Sequence, residues 1–105
     1  MLLLDNGSYG TIRMHQEREY PARVSGSDLA NPDFAALARA YGWFAGDRVD
    51  TTEAFEPALR AALGAKRPAL IHLRLDTDVI TSRTTIGAIR RKAEAQRAAS
   101  AGAKP

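Results

Sequence analysis

Leu2-Leu3-Leu4-Asp5-Asn6-Gly7-Ser8-Tyr9 is the stretch that decides how the rest of the chain is read. A short apolar run halted by Asp-Asn-Gly reads as a buried strand ending in a tight turn. Ser8 is placed to cap the next element, and the sequence from Tyr9 to about Glu19 reads as a helix, with Ile12 and Gln16 one turn apart. In open parallel α/β sheets, ligands gather beyond the carboxyl ends of the strands, where helix N-termini also point. Backbone amides and the positive helix end at such a turn favour a diphosphate. An Asn side-chain oxygen and a main-chain carbonyl are hard donors of the kind magnesium takes. The same residues also make an ordinary Asn-Gly turn, in which Asn tolerates a left-handed backbone. Spacing alone does not separate the two readings.

Working outward, Pro21 and Ser25-Gly26-Ser27-Asp28 predict a surface loop. Asn31 as cap, Pro32 at the first helical position and Gly42 as stop predict a second helix. Its Phe34, Leu37, Ala38 and Tyr41 fall on one apolar stripe facing a core. Trp43-Phe44-Ala45 through Val49 reads as a strand, with Tyr41, Trp43 and Phe44 in the core. Asp50 with Glu53 forms a capping-box pattern that opens a third helix carrying Phe55, Leu59, Ala62 and Leu63, ended by Gly64. Pro57 falls in its first turns, where a missing amide is tolerated. Pro68 then introduces a strand from Ala69 to Leu75, with Ile71, Leu73 and Leu75 on one face and Leu70, His72 and Arg74 on the other. That alternation predicts burial mainly on one side, near a sheet edge, with His72 a partly exposed structural residue. Asp76 to Thr85 is extended and polar, and beyond Ile86 the chain becomes rich in Ala, Arg and Lys.

Strands alternating with helices imply βαβ crossovers and a parallel sheet. The expected fold is α/β, a partial doubly wound parallel sheet of about three strands with flanking helices. That is part of a domain rather than a whole one. Residues 1–86 form this part and 87–105 a basic helical or flexible tail. A hydrophobic content of 45% suits a globular core. With no cysteine there is neither a disulfide framework nor a thiolate metal site. His15 and His72 are the only histidines, which excludes a histidine-rich metal cluster. Met1 to Leu4 is too short for a signal peptide or a membrane span before it meets Asp5, so a soluble cytoplasmic protein with no membrane partner is expected.

The net charge of +3 comes largely from Arg83, Arg90, Arg91, Lys92, Arg97 and Lys104, offset by Glu94. No aromatic platform accompanies Arg90-Arg91-Lys92, so the tail reads as a solvated helix and no nucleic-acid partner is expected. There is no Gly-x-Ser-x-Gly elbow, and Ser25-Gly26-Ser27 reads as flexible loop rather than nucleophile. His15 is a pocket candidate by residue type, but no orienting partner is visible for it, and an exposed helix histidine is the competing reading.

The run Leu2 to Arg13, Leu-Leu-Leu-Asp-Asn-Gly-Ser-Tyr-Gly-Thr-Ile-Arg, resembles the second half of the thiamine-diphosphate motif. In that family a Gly-Asp-Gly is followed some thirty residues later by a hydrophobic strand and an Asn-Asn pair, whose first Asn is sometimes Asp. Gln16, the stretch Asn31-Pro-Asp-Phe-Ala-Ala-Leu-Ala-Arg-Ala-Tyr-Gly42 and Pro68-Ala-Leu-Ile-His-Leu73 continue the likeness over roughly residues 1–86. It is similar to the acetolactate synthase and benzoylformate decarboxylase branch.

By this resemblance Asn6 matches the Asn whose side chain binds Mg2+, and Ser8 the position whose main-chain oxygen is a further ligand. Gly7 and Tyr9 complete the turn and helix start that face the thiamine diphosphate. Ile12 and His15 match positions lining the substrate end of the cleft, where pyruvate decarboxylases have Glu and acetolactate synthases Trp, respectively. No Gly-Asp-Gly precedes the turn, so the family's Asp ligand and its activating Glu have no counterpart here, and no residue is assigned a catalytic role. Asp5 stands at the place of the first motif Asn.

The resemblance implies a C-terminal segment of a thiamine-diphosphate-dependent 2-oxo acid decarboxylase or carboligase, inactive alone. Its partners would be the remainder of the enzyme or another copy of itself. The alternative is a non-catalytic interaction or assembly module that keeps the fold.

Overall fold

The computed structural model describes residues 1–102, so the last three residues of the expected tail lie outside it. Strand β1 (Leu2–Asp5) pairs in parallel with β2 (Ile71–Arg74), in the register Leu2↔Ile71, Leu3↔His72, Leu4↔Leu73 and Asp5↔Arg74. Four helices accompany them: α1 (Gly10–Glu19), α2 (Phe34–Ala40), α3 (Thr52–Gly64) and α4 (Ile86–Gly102). The fold is α/β with a parallel sheet, as the alternation of elements implies.

The third expected strand does not form as such. Residues 43–49 instead make two isolated parallel bridges, Phe44↔Ala69 and Val49↔Leu73. Five residue steps on one side face four on the other, and the surplus residue interrupts the ladder as a bulge does. The Arg39 guanidinium takes up the released carbonyls, donating to Ala45 O at 2.8 Å and Gly46 O at 3.3 Å. The expectation of an edge position for the last strand is also corrected. The amides of Ile71 and Leu75 donate to Met1 and Asp5, whereas those of Leu70 and Arg74 donate to Phe44 and Val49. β2 is therefore flanked on both sides, and the consecutive residues Leu70, Ile71 and His72 are all buried. Single-sided burial does not hold for β2, because α2 and α3 both contact it and Leu70, Ile71 and His72 alternate between its two faces.

The chain divides into two compact units. The first comprises Met1–Asn6 and Ala30–Leu75, the second Gly7–Leu29 and the described residues from Asp76 onward. The first unit's core joins Ala35, Ala38, Ala45 and Leu70, with Leu3, Phe34 and Trp43 against them. Small residues on α2 let the helix lie close to the sheet. Its expected apolar stripe is only half used: Phe34 and Ala38 face inward, while Leu37 is exposed and Tyr41, expected in the core, is 78% exposed. The second unit is built from α1 against α4.

The caps fall one or two residues from where the sequence suggests. Asp33, not Asn31, caps α2 by accepting from the Ala36 amide at 3.0 Å, and Thr51, not Asp50, caps α3 by accepting from Ala54 at 3.3 Å. Both satisfy an otherwise orphaned first-turn amide. Gly42 does end α2, at φ +78°, a left-handed turn that a Cβ disfavours.

Candidate functional site

In the first unit the sheet ends in a cluster of polar side chains around Asp5. Because Asp5 pairs with Arg74, and Leu3 with His72, these residues project from one face of the sheet. The Asp5 carboxylate is buried and accepts at both oxygens. His72 Nε2 lies 2.8 Å from Oδ2, while Asn31 Nδ2 at 2.8 Å and Arg74 Nη1 at 3.3 Å reach Oδ1. With a carboxylate as acceptor, Nε2 is the ring nitrogen that carries the hydrogen. The His72 ring is itself held by Phe34, edge-on at 5.2 Å between centroids with planes at 79°. His72 is therefore a buried member of a network, not the partly exposed structural residue its alternating strand suggested. Asn31, displaced from the capping role, is the network's link to the segment entering α2. Half-buried Asn6 follows Asp5 directly at the carboxyl end of β1.

In the second unit, Gly7 has φ +66° and its carbonyl accepts from Leu29 at 2.9 Å. Ser8 does not cap α1. Its hydroxyl donates to Ser27 O at 3.0 Å, and it bridges to Asp28 in antiparallel fashion. Tyr9 is the N-cap residue, half its surface is exposed, and its amide donates to the same Ser27 carbonyl at 2.8 Å. That amide is therefore engaged within the second unit. As N-cap residue, Tyr9 makes no side-chain capping hydrogen bond to α1. Ile12 (52% exposed) and His15 lie three residues apart on α1, on one exposed flank.

The second unit also contains a buried ion pair that the sequence did not announce. Glu17 is fully buried and receives both Arg90 Nε, at 2.8 Å from Oε2, and Arg90 Nη2 at Oε1, with the Ala22 amide donating to Oε2 at 2.9 Å. The Arg90 guanidinium holds the Glu17 carboxyl below its ordinary range, overcoming the opposing effect of burial, and Glu17 in turn raises Arg90. Arg90 thus departs from the expected solvated tail. Farther along α4, Arg97 donates to Glu19 O at 2.9 Å and stacks over Tyr20 at 5.6 Å.

An apolar groove of about 420 Å³ opens in the first unit between Met1, Leu3, Leu37, Tyr41 and Trp43. On the opposite face of the sheet, Leu2 and Leu4 remain exposed, Leu4 at 64%. Among the described residues no group of three or more His, Cys, Asp or Glu side chains could hold a metal by itself, and no helix is long and apolar enough to cross a membrane.

Residues 1–73 match the family described as thiamine pyrophosphate enzyme, C-terminal TPP binding domain. The catabolic acetolactate synthase of Raoultella terrigena is 34% identical over 76 residues, which is 72% of this chain and 13% of that protein. Isozyme 2 large subunit of acetolactate synthase from Escherichia coli is 35% identical over 77 residues, 72% of this chain and 14% of its own. Benzoylformate decarboxylase of Pseudomonas aeruginosa is 38% identical over 76 residues, again 72% and 14%. The chain therefore spans about one-seventh of the length of these relatives.

Proposed function

The chain belongs to the family of C-terminal TPP-binding domains of thiamine pyrophosphate enzymes, and from that premise we propose that it is the segment contributing Asn6 and Ser8 to a magnesium–diphosphate site in a 2-oxo acid decarboxylase or carboligase. Thiamine diphosphate with Mg2+ is the cofactor of this family. The donor set fits that group in part. A neutral amide oxygen from Asn6 and a main-chain oxygen from Ser8 suit a hard cation that keeps water and phosphate oxygens in its shell. The described residues hold no carboxylate cluster to complete the shell, so this chain's share is partial.

What supports the reading is the position of Asn6 within the matched residues. It lies at the carboxyl end of a parallel strand, where α/β sheets bind ligands. Asn6 would ligate the metal with its side chain and Ser8 with its carbonyl. Gly7 and the α1 start at Tyr9 would face the diphosphate, and Ile12 and His15 would line the approach of a 2-oxo acid. The carbon chemistry would be the cofactor's. The chain's residues hold and orient it.

Because the remaining ligands are not among its residues, the 105-residue chain should show no micromolar affinity for thiamine diphosphate with Mg2+ and no catalysis. Isothermal calorimetry measures this directly, and micromolar binding would refute the partial-site reading.

A second reading, an assembly module that keeps the fold without the chemistry, has one observation in its favour. Met1, Leu2 and Leu4 expose apolar surface on a strand paired on one side only among the described residues. An Asn6→Ala variant separates the two: self-association should be indifferent to it, whereas any weak, millimolar-range metal binding that the partial site retains should be lost.

A further inference from the structure

We propose that Arg13, Gln16 and Ser27 bind one internal water molecule in the seam between α1 and the loop that follows it. The inference concerns the second unit alone and is independent of the cofactor reading.

Three side-chain atoms of this unit are shut off from bulk solvent and have no hydrogen-bond partner among the described residues. They are Arg13 Nε, Gln16 Oε1 and Ser27 Oγ. Buried polar groups seldom stay unsatisfied, and internal water is a usual partner for them. The printed contacts bring all three to one seam. Arg13 and Gln16 stand one turn apart on the same flank of α1. The loop is laid against that flank: Gln16 Nε2 donates to Ser25 O at 2.7 Å, and Arg13 Nη1 reaches Asp28 Oδ1 at 3.5 Å. Ser27 lies between those two anchors in the chain and has no exposed surface. Its carbonyl accepts from the Tyr9 amide at 2.8 Å, at the start of the same helix.

The three atoms are also complementary in kind. Arg13 Nε–H can only donate, Gln16 Oε1 can only accept, and the Ser27 hydroxyl does either. The amide of Gln16 cannot be turned over, since that would set Oε1 against the Ser25 carbonyl. The ligand must therefore accept one hydrogen bond, donate another and meet a hydroxyl. An anion is turned away by the Gln16 oxygen, and a cation by the Arg13 guanidinium. Water satisfies the set with three hydrogen bonds, the usual number for an internal water. Held this way, it pins the loop to α1 through side chains, beside the backbone contact at Tyr9.

A high-resolution crystal structure of the full chain tests this directly. One ordered water is expected about 2.7–3.2 Å from each of the three atoms. A dry seam overturns the proposal, as does Arg13 Nε donating straight to Gln16 Oε1.

Water-selective nuclear Overhauser spectroscopy gives a second reading in solution. The wild type should show a long-lived water with a cross-peak to the Arg13 Nε hydrogen. Gln16→Met keeps the side-chain length but removes the acceptor, and the cross-peak should disappear. Its persistence in a folded Gln16→Met chain overturns the proposal. In Ser27→Ala, where two partners remain, the cross-peak should weaken but survive. Complete loss there marks relayed exchange from the hydroxyl rather than bound water, and counts against the site. Should either variant fail to fold, the wild-type crystal structure decides.

Discussion

Among the described residues each unit of this protein buries one carboxylate side chain, and the two are handled differently. Glu17, on α1, has no exposed surface and is gripped by both arms of one guanidinium from α4, 73 residues away. Asp5, at the end of β1, retains slight exposure and divides its oxygens among donors of differing strength, two of them from β2. The first arrangement concentrates stability in a single pair, so losing one partner strands a charge in a dry interior. The second spreads it, so each donor can be removed at modest cost. Glu17 fastens two helices, and Asp5 ties the end of β1 to β2 and to the segment entering α2.

Removing Arg90 should produce the largest effect. An Arg90→Ala chain leaves Glu17 without its counter-charge, and a loss of roughly 2–3 kcal/mol is expected, discounted from the full buried-pair value because Arg90 is itself partly exposed. Urea unfolding measures it; a loss below about 1 kcal/mol would erase the contrast between the two carboxylates.

Acid should act on the same pair to a lesser degree. The folded-state pKa of Glu17 is lowered from the ordinary 4.5, mainly by the hydrogen bond from Arg90. The unfolded chain therefore binds the proton more readily, and the stabilisation is complete above the unfolded value. It drains away as pH falls through the lower folded value. Stability of Glu17→Gln should be correspondingly flatter between neutral pH and about 3 than that of the wild type, read as the slope of the unfolding midpoint against pH.

The smallest change is expected at Asp5→Asn, which keeps the shape: its oxygen can still accept from Asn31 and Arg74, and its amide nitrogen can donate to His72 once the ring switches tautomer to accept at Nε2. A cost of about 1 kcal/mol corresponds to exchanging the carboxylate's hydrogen bonds for those of a neutral amide, and a larger one would show that Asp5, too, works chiefly as a staple.

Local chemistry was a good guide wherever an interaction closes within a turn or two. The strand at residues 2–5, the helices following residues 9, 33 and 51, and the glycine stop at 42 all reflect short-range patterns. The caps slipped by a residue or two because Asn31, Asp33, Asp50 and Thr51 all carry a suitable oxygen, and only the entry angle of the chain chooses between them. The bulge at 43–49 was hidden for a related reason: its apolar residues read as a strand, and the surplus residue shows only when counted against its partner. A charged residue seventy positions from its partner leaves no periodic trace at all.

The sequence alone settled that strands and helices alternate, that an Asn comes after the first strand, and that residues 2–13 resemble the second half of a thiamine-diphosphate motif. Each of these is written in neighbouring residues and costs little chain entropy to express. Only the tertiary structure decided that β2 is flanked on both sides, that His72 is a buried hydrogen-bond partner of Asp5, and that Arg90 belongs to Glu17 rather than to solvent. Those pairings depend on which faces each folded unit brings together within itself, and burial then makes them obligatory, since a polar group taken out of water must find a partner or destabilise the fold.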